Sequence, residues 1–170
     1  MVREGILSLN DFLKIDTAIT DAGSRLQNVS ESPRLDAELL LARALDVPRS
    51  YLFAHAEEEM DDSAKLRFQT SIERRLDGLP MAYITGEKEF WSMDLLVSPA
   101  TLVPRPETEL LVDLALRQMP RGSTQQVLDL GTGSGTVALA LAKERPLSKI
   151  VATDISEDAV RVAKENARRL

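Results

Sequence analysis

The chain has 170 residues, 44% of them apolar and 28% charged, with a net charge of −6 and no cysteine. That composition supports a globular core and excludes disulfides, thiolate metal sites and a cysteine nucleophile. Residues 1–80 carry ten Lys/Arg against fifteen Asp/Glu, which argues against nucleic acid as a direct target. The absence of a signal-peptide core or an apolar run of roughly 18 residues points to a cytoplasmic protein with no membrane partner.

Residues 1–80 read as an all-helical bundle. Asn10 is a candidate cap for a helix with Phe12, Ile15, Ile19 and Ala22 on its apolar side and Gly23 as its stop. Ser32-Pro33 is a strong start, a cap followed by proline in the first helical position, and Leu35, Leu39, Ala42 and Leu45 follow as a stripe. Ser50 to Ala54 is a shorter helix. Asp62 to Leu76 is a longer one carrying Leu66, Phe68 and Ile72, ended by Gly78 and Pro80. The acids Glu57, Glu58, Glu59, Asp61 and Asp62 read as a solvated loop and helix start. His55 is the only histidine, so it has no ligand partner of its own kind and no metal site is expected.

Residues 81–103 change pattern. Glu87 to Trp91 and Asp94 to Val97 read as two strands around Ser92-Met93, a β-hairpin linker, and Pro99, Pro104 and Pro106 stiffen the segment after it. Residues 104–170 are then expected to be part of a second domain. Glu107 to Met119 reads as a helix with Leu110, Leu111, Leu114 and Ala115 buried, and a sheet starts at Gln126.

Val127-Leu128-Asp129-Leu130 reads as a buried strand leading into Gly131-Thr132-Gly133-Ser134-Gly135. Glycine lets a ligand approach the main chain, and the run from Thr136 is a helix start. Lys149 to Thr153 reads as a second strand, followed by Asp154. That acid comes about twenty residues after the glycines, where strand-end carboxylates meet ribose hydroxyls in nucleotide-binding folds. Ser156 then caps a further helix with Glu157 and Asp158 in its first turn. Strand–helix–strand–helix order implies an α/β fold with a parallel sheet. The glycine spacing is G-x-G-x-G, not the G-x-G-x-x-G of dinucleotide enzymes. With Asp129 two residues before the first glycine, it resembles the first motif of S-adenosylmethionine methyltransferases.

Upstream lie a Tyr-Ile-Thr-Gly turn at 83–86, the pair Phe90-Trp91, Val97-Ser98-Pro99, and Pro104-Arg105-Pro106-Glu107-Thr108-Glu109. With Asp-Leu-Gly-Thr-Gly-Ser-Gly at 129–135 and Glu-Ser-Pro-Arg-Leu-Asp-Ala-Glu at 31–38, these resemble the release factor glutamine methyltransferases, the HemK/PrmC family, over essentially the whole chain. The resemblance implies an N-terminal helical substrate-docking domain, a hairpin linker and the first part of a Rossmann-like sheet. It implies S-adenosyl-L-methionine as cofactor and the glutamine of a Gly-Gly-Gln motif in peptide chain release factors as methyl acceptor. It places Asp129, Gly131, Thr132, Gly133, Ser134, Gly135 and Asp154 at the cofactor, with Asp154 on the ribose diol and Asp129 either shaping the turn or meeting the cofactor's ammonium. Arg105, Glu107 and Thr108 fall at the substrate side; for the first and second of these a domain-linking ion pair is an equal reading. Phe90 and Trp91 read as hairpin packing.

The family's Asn-Pro-Pro-Tyr motif, which orients the acceptor amide, has no counterpart here, since no Asn-Pro occurs in the sequence. The catalytic residues are therefore not identified. The expectation is a front portion of such an enzyme, inactive alone, with an open sheet edge prone to self-association. A non-catalytic partner-binding fragment and part of a nucleobase amino-methyltransferase are the rival readings.

Overall fold

The computed structural model describes residues 14–170. Two compact units divide the chain, the first ending at Thr85 and the second running Gly86–Leu170.

The first unit contains α1 (Ile15–Leu26), α2 (Pro33–Leu45), α3 (Arg49–Ala54), α4 (Asp62–Leu76) and α5 (Met81–Thr85). Pro33 opens α2 behind Ser32, and α2 ends where Asp46 takes a left-handed conformation at φ 56°. Asp61 caps α4 by accepting the Ala64 N–H at 2.8 Å. Ile15, Ile19, Leu26, Leu40, Leu41, Leu52, Phe68 and Ile72 form the core. Two carboxylates on α2 are drawn into this packing, and both are paired with arginine, as buried charge requires. Glu38 accepts from Arg34 Nε at 3.1 Å and Arg49 Nε at 2.8 Å, and Asp36 accepts from Arg75 Nε at 2.9 Å.

Several expectations are corrected. Gly23 does not stop α1, which continues to Leu26. It is buried inside the helix against α2, where an added Cβ would lie in ordinary contact, 3.6 Å from the Arg34 Cα. Leu35 and Leu39 face outward at 39% and 40% exposure, and Leu66 at 57%. Of the expected stripe Ala42 is buried and Leu45 packs against the core, and α2 buries Ala37, Leu40, Leu41 and Ala44 besides. Leucines occupy most of its circumference, so periodicity alone does not choose the face; packing against α1 and α4 does. Asn10 and Phe12 lie outside the described residues.

The second unit opens with β1 (Glu87–Phe90) and β2 (Met93–Leu96), an antiparallel hairpin pairing Phe90 with Met93. The turn is Trp91-Ser92, not Ser92-Met93. This register sets Phe90, Met93 and Leu95 inward together, at 2%, 4% and 0% exposure. Then come α6 (Glu107–Gln118), β3 (Gln126–Leu130), α7 (Thr136–Glu144), β4 (Lys149–Thr153) and α8 (Glu157–Arg169). Strands β3 and β4 pair in parallel, with Leu128 opposite Val151, so β3–α7–β4–α8 forms the start of a Rossmann-like sheet. Arg145 is buried beyond the end of α7 and donates to the Leu116 carbonyl at 3.1 Å and to the Met119 carbonyl, satisfying the last turn of α6.

Here too the apolar residues are placed differently from expectation. On α6 the fully buried side chain is Val112, while Leu110, Leu111 and Leu114 are 60%, 55% and 49% exposed. On β3, Leu128 and Leu130 are 58% and 74% exposed, not buried. Among the described residues β3 has β4 as its single neighbouring strand.

The core assignment separates two neighbours on α4. Phe68→Ala is expected to cost about 3–5 kcal/mol as a large-to-small change in a packed core. Leu66→Ala should stay within about 0.5 kcal/mol. Urea unfolding followed by helical circular dichroism measures both, and equal costs would contradict the packing of α4.

Candidate functional site

Between β3 and α7 the backbone takes a left-handed conformation at every second residue. Gly131, Gly133 and Gly135 have φ of 77°, 57° and 86°, a region side-chain-bearing residues avoid. At Gly131 and Gly133 an added Cβ would meet no protein atom within 4 Å, so conformation alone demands glycine there. At Gly135 packing also demands it: a Cβ would lie 3.3 Å from the Ala163 Cβ on α8. Gly135 is also the N-cap of α7, and no side chain caps that end, so the partial positive charge of the helix N-terminus faces the turn.

The end of β4 fastens this turn from the other side. The Thr153 carbonyl accepts the N–H groups of Gly131 and Thr132, both at 2.9 Å. Asp154 accepts the Gly133 N–H through Oδ2 at 2.8 Å and the Ser156 N–H through Oδ1 at 3.0 Å. The hydrogen bond from Ser156, then that from Gly133, holds the Asp154 carboxyl below its ordinary pKa. A carboxylate so placed keeps lone pairs on both oxygens for further donors, such as a ribose diol.

Other residues assigned from sequence have different parts. Asp129 Oδ2 accepts the Thr132 hydroxyl at 2.7 Å, which supports the reading in which it shapes the turn. Ser134 is 1% exposed and its hydroxyl is paired with that of Thr136 at 2.7 Å, so toward a ligand it offers backbone only. Asp129, Gly131, Thr132, Gly133, Ser134, Gly135 and Asp154 thus form one connected cluster. Arg105, Glu107 and Thr108 stand apart at the start of α6, the first two exposed and Thr108 half-buried. Among the described residues no ion pair joins Arg105 to Glu107, and none of the three bonds to the glycine turn. His55 stacks on Tyr51 with ring centroids 3.7 Å apart. No helix among the described residues is long and apolar enough to cross a membrane.

Three contributors are not singled out by the sequence reading. Glu109 on α6 accepts the Trp91 N–H at 3.1 Å, and Glu144 on α7 accepts the Trp91 indole N–H at 3.1 Å. Together they brace a hairpin turn whose two central residues sit at φ 53° and 52° without glycine. Asn166 on α8 is 1% exposed and bonds to the glycine turn. It does carry a signal: it continues the small-residue stripe of Ala159 and Ala163, where an amide is out of place unless it has partners.

Comparison with known proteins agrees with this division. The PrmC N-terminal domain family matches residues 17–86, and a methyltransferase domain family matches residues 122–170. A release factor glutamine methyltransferase of Coxiella burnetii is 47% identical over 92% of this chain and 57% of its own length. Proteins of the same name from Koribacter versatilis and Escherichia coli are 50% and 47% identical, over 82% and 89% of this chain and 50% and 54% of theirs. The chain therefore spans about half the length of the curated relatives it matches.

The depressed carboxyl makes the turn sensitive to acid. Because the folded pKa of Asp154 lies below the unfolded one, its contribution to the turn is full above the ordinary value of 3.8 and is lost as pH falls through the depressed value. In an NMR titration the Asp154 carboxyl should show a midpoint below 3.8, and the Gly133 amide resonance should move with the same midpoint. An ordinary midpoint, or a Gly133 amide indifferent to it, would contradict the bridge.

Proposed function

The chain belongs to the release factor glutamine methyltransferases over the span it covers, and from that premise we propose that it forms the cofactor half of a cytoplasmic enzyme of translation termination. The proposed reaction moves a methyl group from S-adenosyl-L-methionine to the side-chain nitrogen of a release-factor glutamine. The observation that carries this reading is the Asp154 carboxylate set 2.8 Å from the Gly133 N–H across the glycine turn. It supports the reading because a carboxylate with lone pairs to spare, beside a stretch of main chain without side chains, suits ribose hydroxyls.

The residues present fit the cofactor. Asp154 would hold the ribose diol, the main chain of Gly131, Thr132, Gly133, Ser134 and Gly135 would border the methionine and sugar portions, and Asp129 has lone pairs left for an ammonium after bonding Thr132. When bound, S-adenosylmethionine supplies a methyl carbon activated by a sulfonium. The task left to the protein is placement. A glutamine amide nitrogen is a weak nucleophile because its lone pair is delocalised, so it must be held at roughly 3–3.5 Å from that carbon with its NH2 group fixed by acceptors. Those acceptors are assigned to the part of the relatives' length that this chain does not span. Arg105, Glu107 and Thr108, at the mouth of α6, are the proposed contacts of this chain with the protein substrate, and the helical first unit is the proposed docking element. A net charge of −6 supports a protein acceptor over a nucleobase.

Titration calorimetry with S-adenosylmethionine tests the cofactor assignment. Asp154→Ala should weaken binding by about tenfold or more, the scale of lost hydrogen bonds to a charged group. An unchanged dissociation constant would remove Asp154 from the site. Saturable binding of NAD, with none of S-adenosylmethionine, would overturn the cofactor reading itself.

A further inference from the structure

We propose that Asn166 is a positioning residue that locks the glycine turn in its ligand-binding conformation and ties it to strand β2. The proposal rests on the cofactor reading above for its consequence, but on geometry for its cause. Asn166 Oδ1 accepts the Leu96 N–H at 2.7 Å, and Nδ2 donates to the Leu96 carbonyl at 3.0 Å and to the Ser134 carbonyl at 2.8 Å. Both amide hydrogens and the amide oxygen are thus used at a site with 1% exposure. The orientation is unique, because a flipped amide would set its oxygen against two carbonyls.

The two ends of this contact do different things. At Leu96 the carboxamide bonds the N–H and the C=O of one residue on the edge of β2 away from β1, as a neighbouring strand would. At Ser134 it fixes a carbonyl inside the glycine turn. The peptide unit is planar, so fixing the Ser134 carbonyl also fixes the direction of the Gly135 N–H, which donates to the Thr132 carbonyl at 2.9 Å. Peptides next to glycine rotate cheaply, since glycine tolerates both signs of φ. Asp154 restrains the Gly133 N–H, and Asn166 restrains the Ser134–Gly135 peptide; between them the turn loses its main freedom. The approach is possible because α8 lies close against Gly135 at Ala163, three residues before Asn166 and on the same helix face. Strand β2 leads on to Arg105, Glu107 and Thr108, so one amide connects the cofactor turn to the segment proposed for the substrate.

The test uses the whole chain with two substitutions. Asn166→Asp keeps an acceptor for Leu96 but loses both donors; Asn166→Ser removes the carboxamide without adding charge. Arg168→Ala, on the exposed side of α8, is the control. Each is checked by thermal melt, by the backbone amide resonances of Gly131, Gly133 and Gly135, and by titration with S-adenosylhomocysteine. The expected result is a folded chain in both Asn166 variants, with displaced or broadened glycine resonances and affinity lower by about tenfold or more, while Arg168→Ala matches the parent. Parental glycine resonances and parental affinity in a folded variant would overturn the proposal. So would failure of both variants to fold, since Asn166 would then determine the fold and not the turn. If the parent chain binds no ligand yet the glycine resonances move in the variants, the cofactor reading fails and the positioning role stands.

Discussion

The second unit is organised around a backbone constraint, the left-handed conformation at Gly131, Gly133 and Gly135. Three alternating residues at positive φ turn the chain sharply from β3 into α7 and point main-chain N–H groups toward the end of β4. That is why the Thr153 carbonyl and the Asp154 carboxylate can bond the turn directly. The same curvature removes side chains from the side on which α8 approaches, so Ala163 and Asn166 reach the main chain. A side chain at any of the three positions would meet the conformational penalty of the left-handed region, and at Gly135 a tight contact with Leu139 and Ala163 besides.

Polar ties do much of what apolar burial does in the first unit. There, Phe68, Ile72, Leu40 and Leu41 enclose one another, and charged groups such as Glu38 are accommodated by paired arginines. In the second unit several leucines are exposed, Leu110, Leu111, Leu114, Leu128 and Leu130 among them, around a smaller apolar core of Phe90, Met93, Leu95, Val112 and Leu141. Added to that core are single side chains that satisfy several backbone groups at once: Arg145 on the last carbonyls of α6, Asn166 on Leu96 and Ser134, and Asp154 on two N–H groups. Such groups are costly to strand in a low-dielectric setting and rigid when fully satisfied. Losing one partner therefore disturbs the geometry more than losing a methyl group would.

Legibility from sequence tracks the range of the interactions that decide each feature. The glycine turn, the Asp154 offset and the Ser156 and Pro33 helix starts are local, and each is where the spacing places it. Family membership is carried by contiguous motifs and is equally local. The buried faces of α2 and α6 are not legible: both helices carry leucines on several sides, and the choice belongs to the neighbours. The exposure of Leu128 and Leu130 depends on what packs on their face of the sheet, which no property of β3 encodes. Gly23 reads as a stop because a glycine inside a helix and one beyond its end look alike until the partner helix is known. Asn166 lies within a readable stripe, but its partners are 70 and 32 residues away.

The segment Pro104 to Glu109 shows how one motif divides between architecture and chemistry. Trp91 and Ser92 form a two-residue hairpin turn of the kind usually given to Asn-Gly, and each residue at positive φ costs on the order of 1–3 kcal/mol. The surrounding structure offsets that cost: Glu109 takes the Trp91 N–H, Glu144 takes its indole N–H, Glu89 takes the Ser92 N–H and Lys143 reaches the Ser92 carbonyl. Glu109 is thereby committed to the hairpin. Arg105 and Glu107, in the same short segment, are exposed. Glu109 thus sets where the start of α6 stands relative to the hairpin, and Asn166 sets where the hairpin stands relative to the glycine turn.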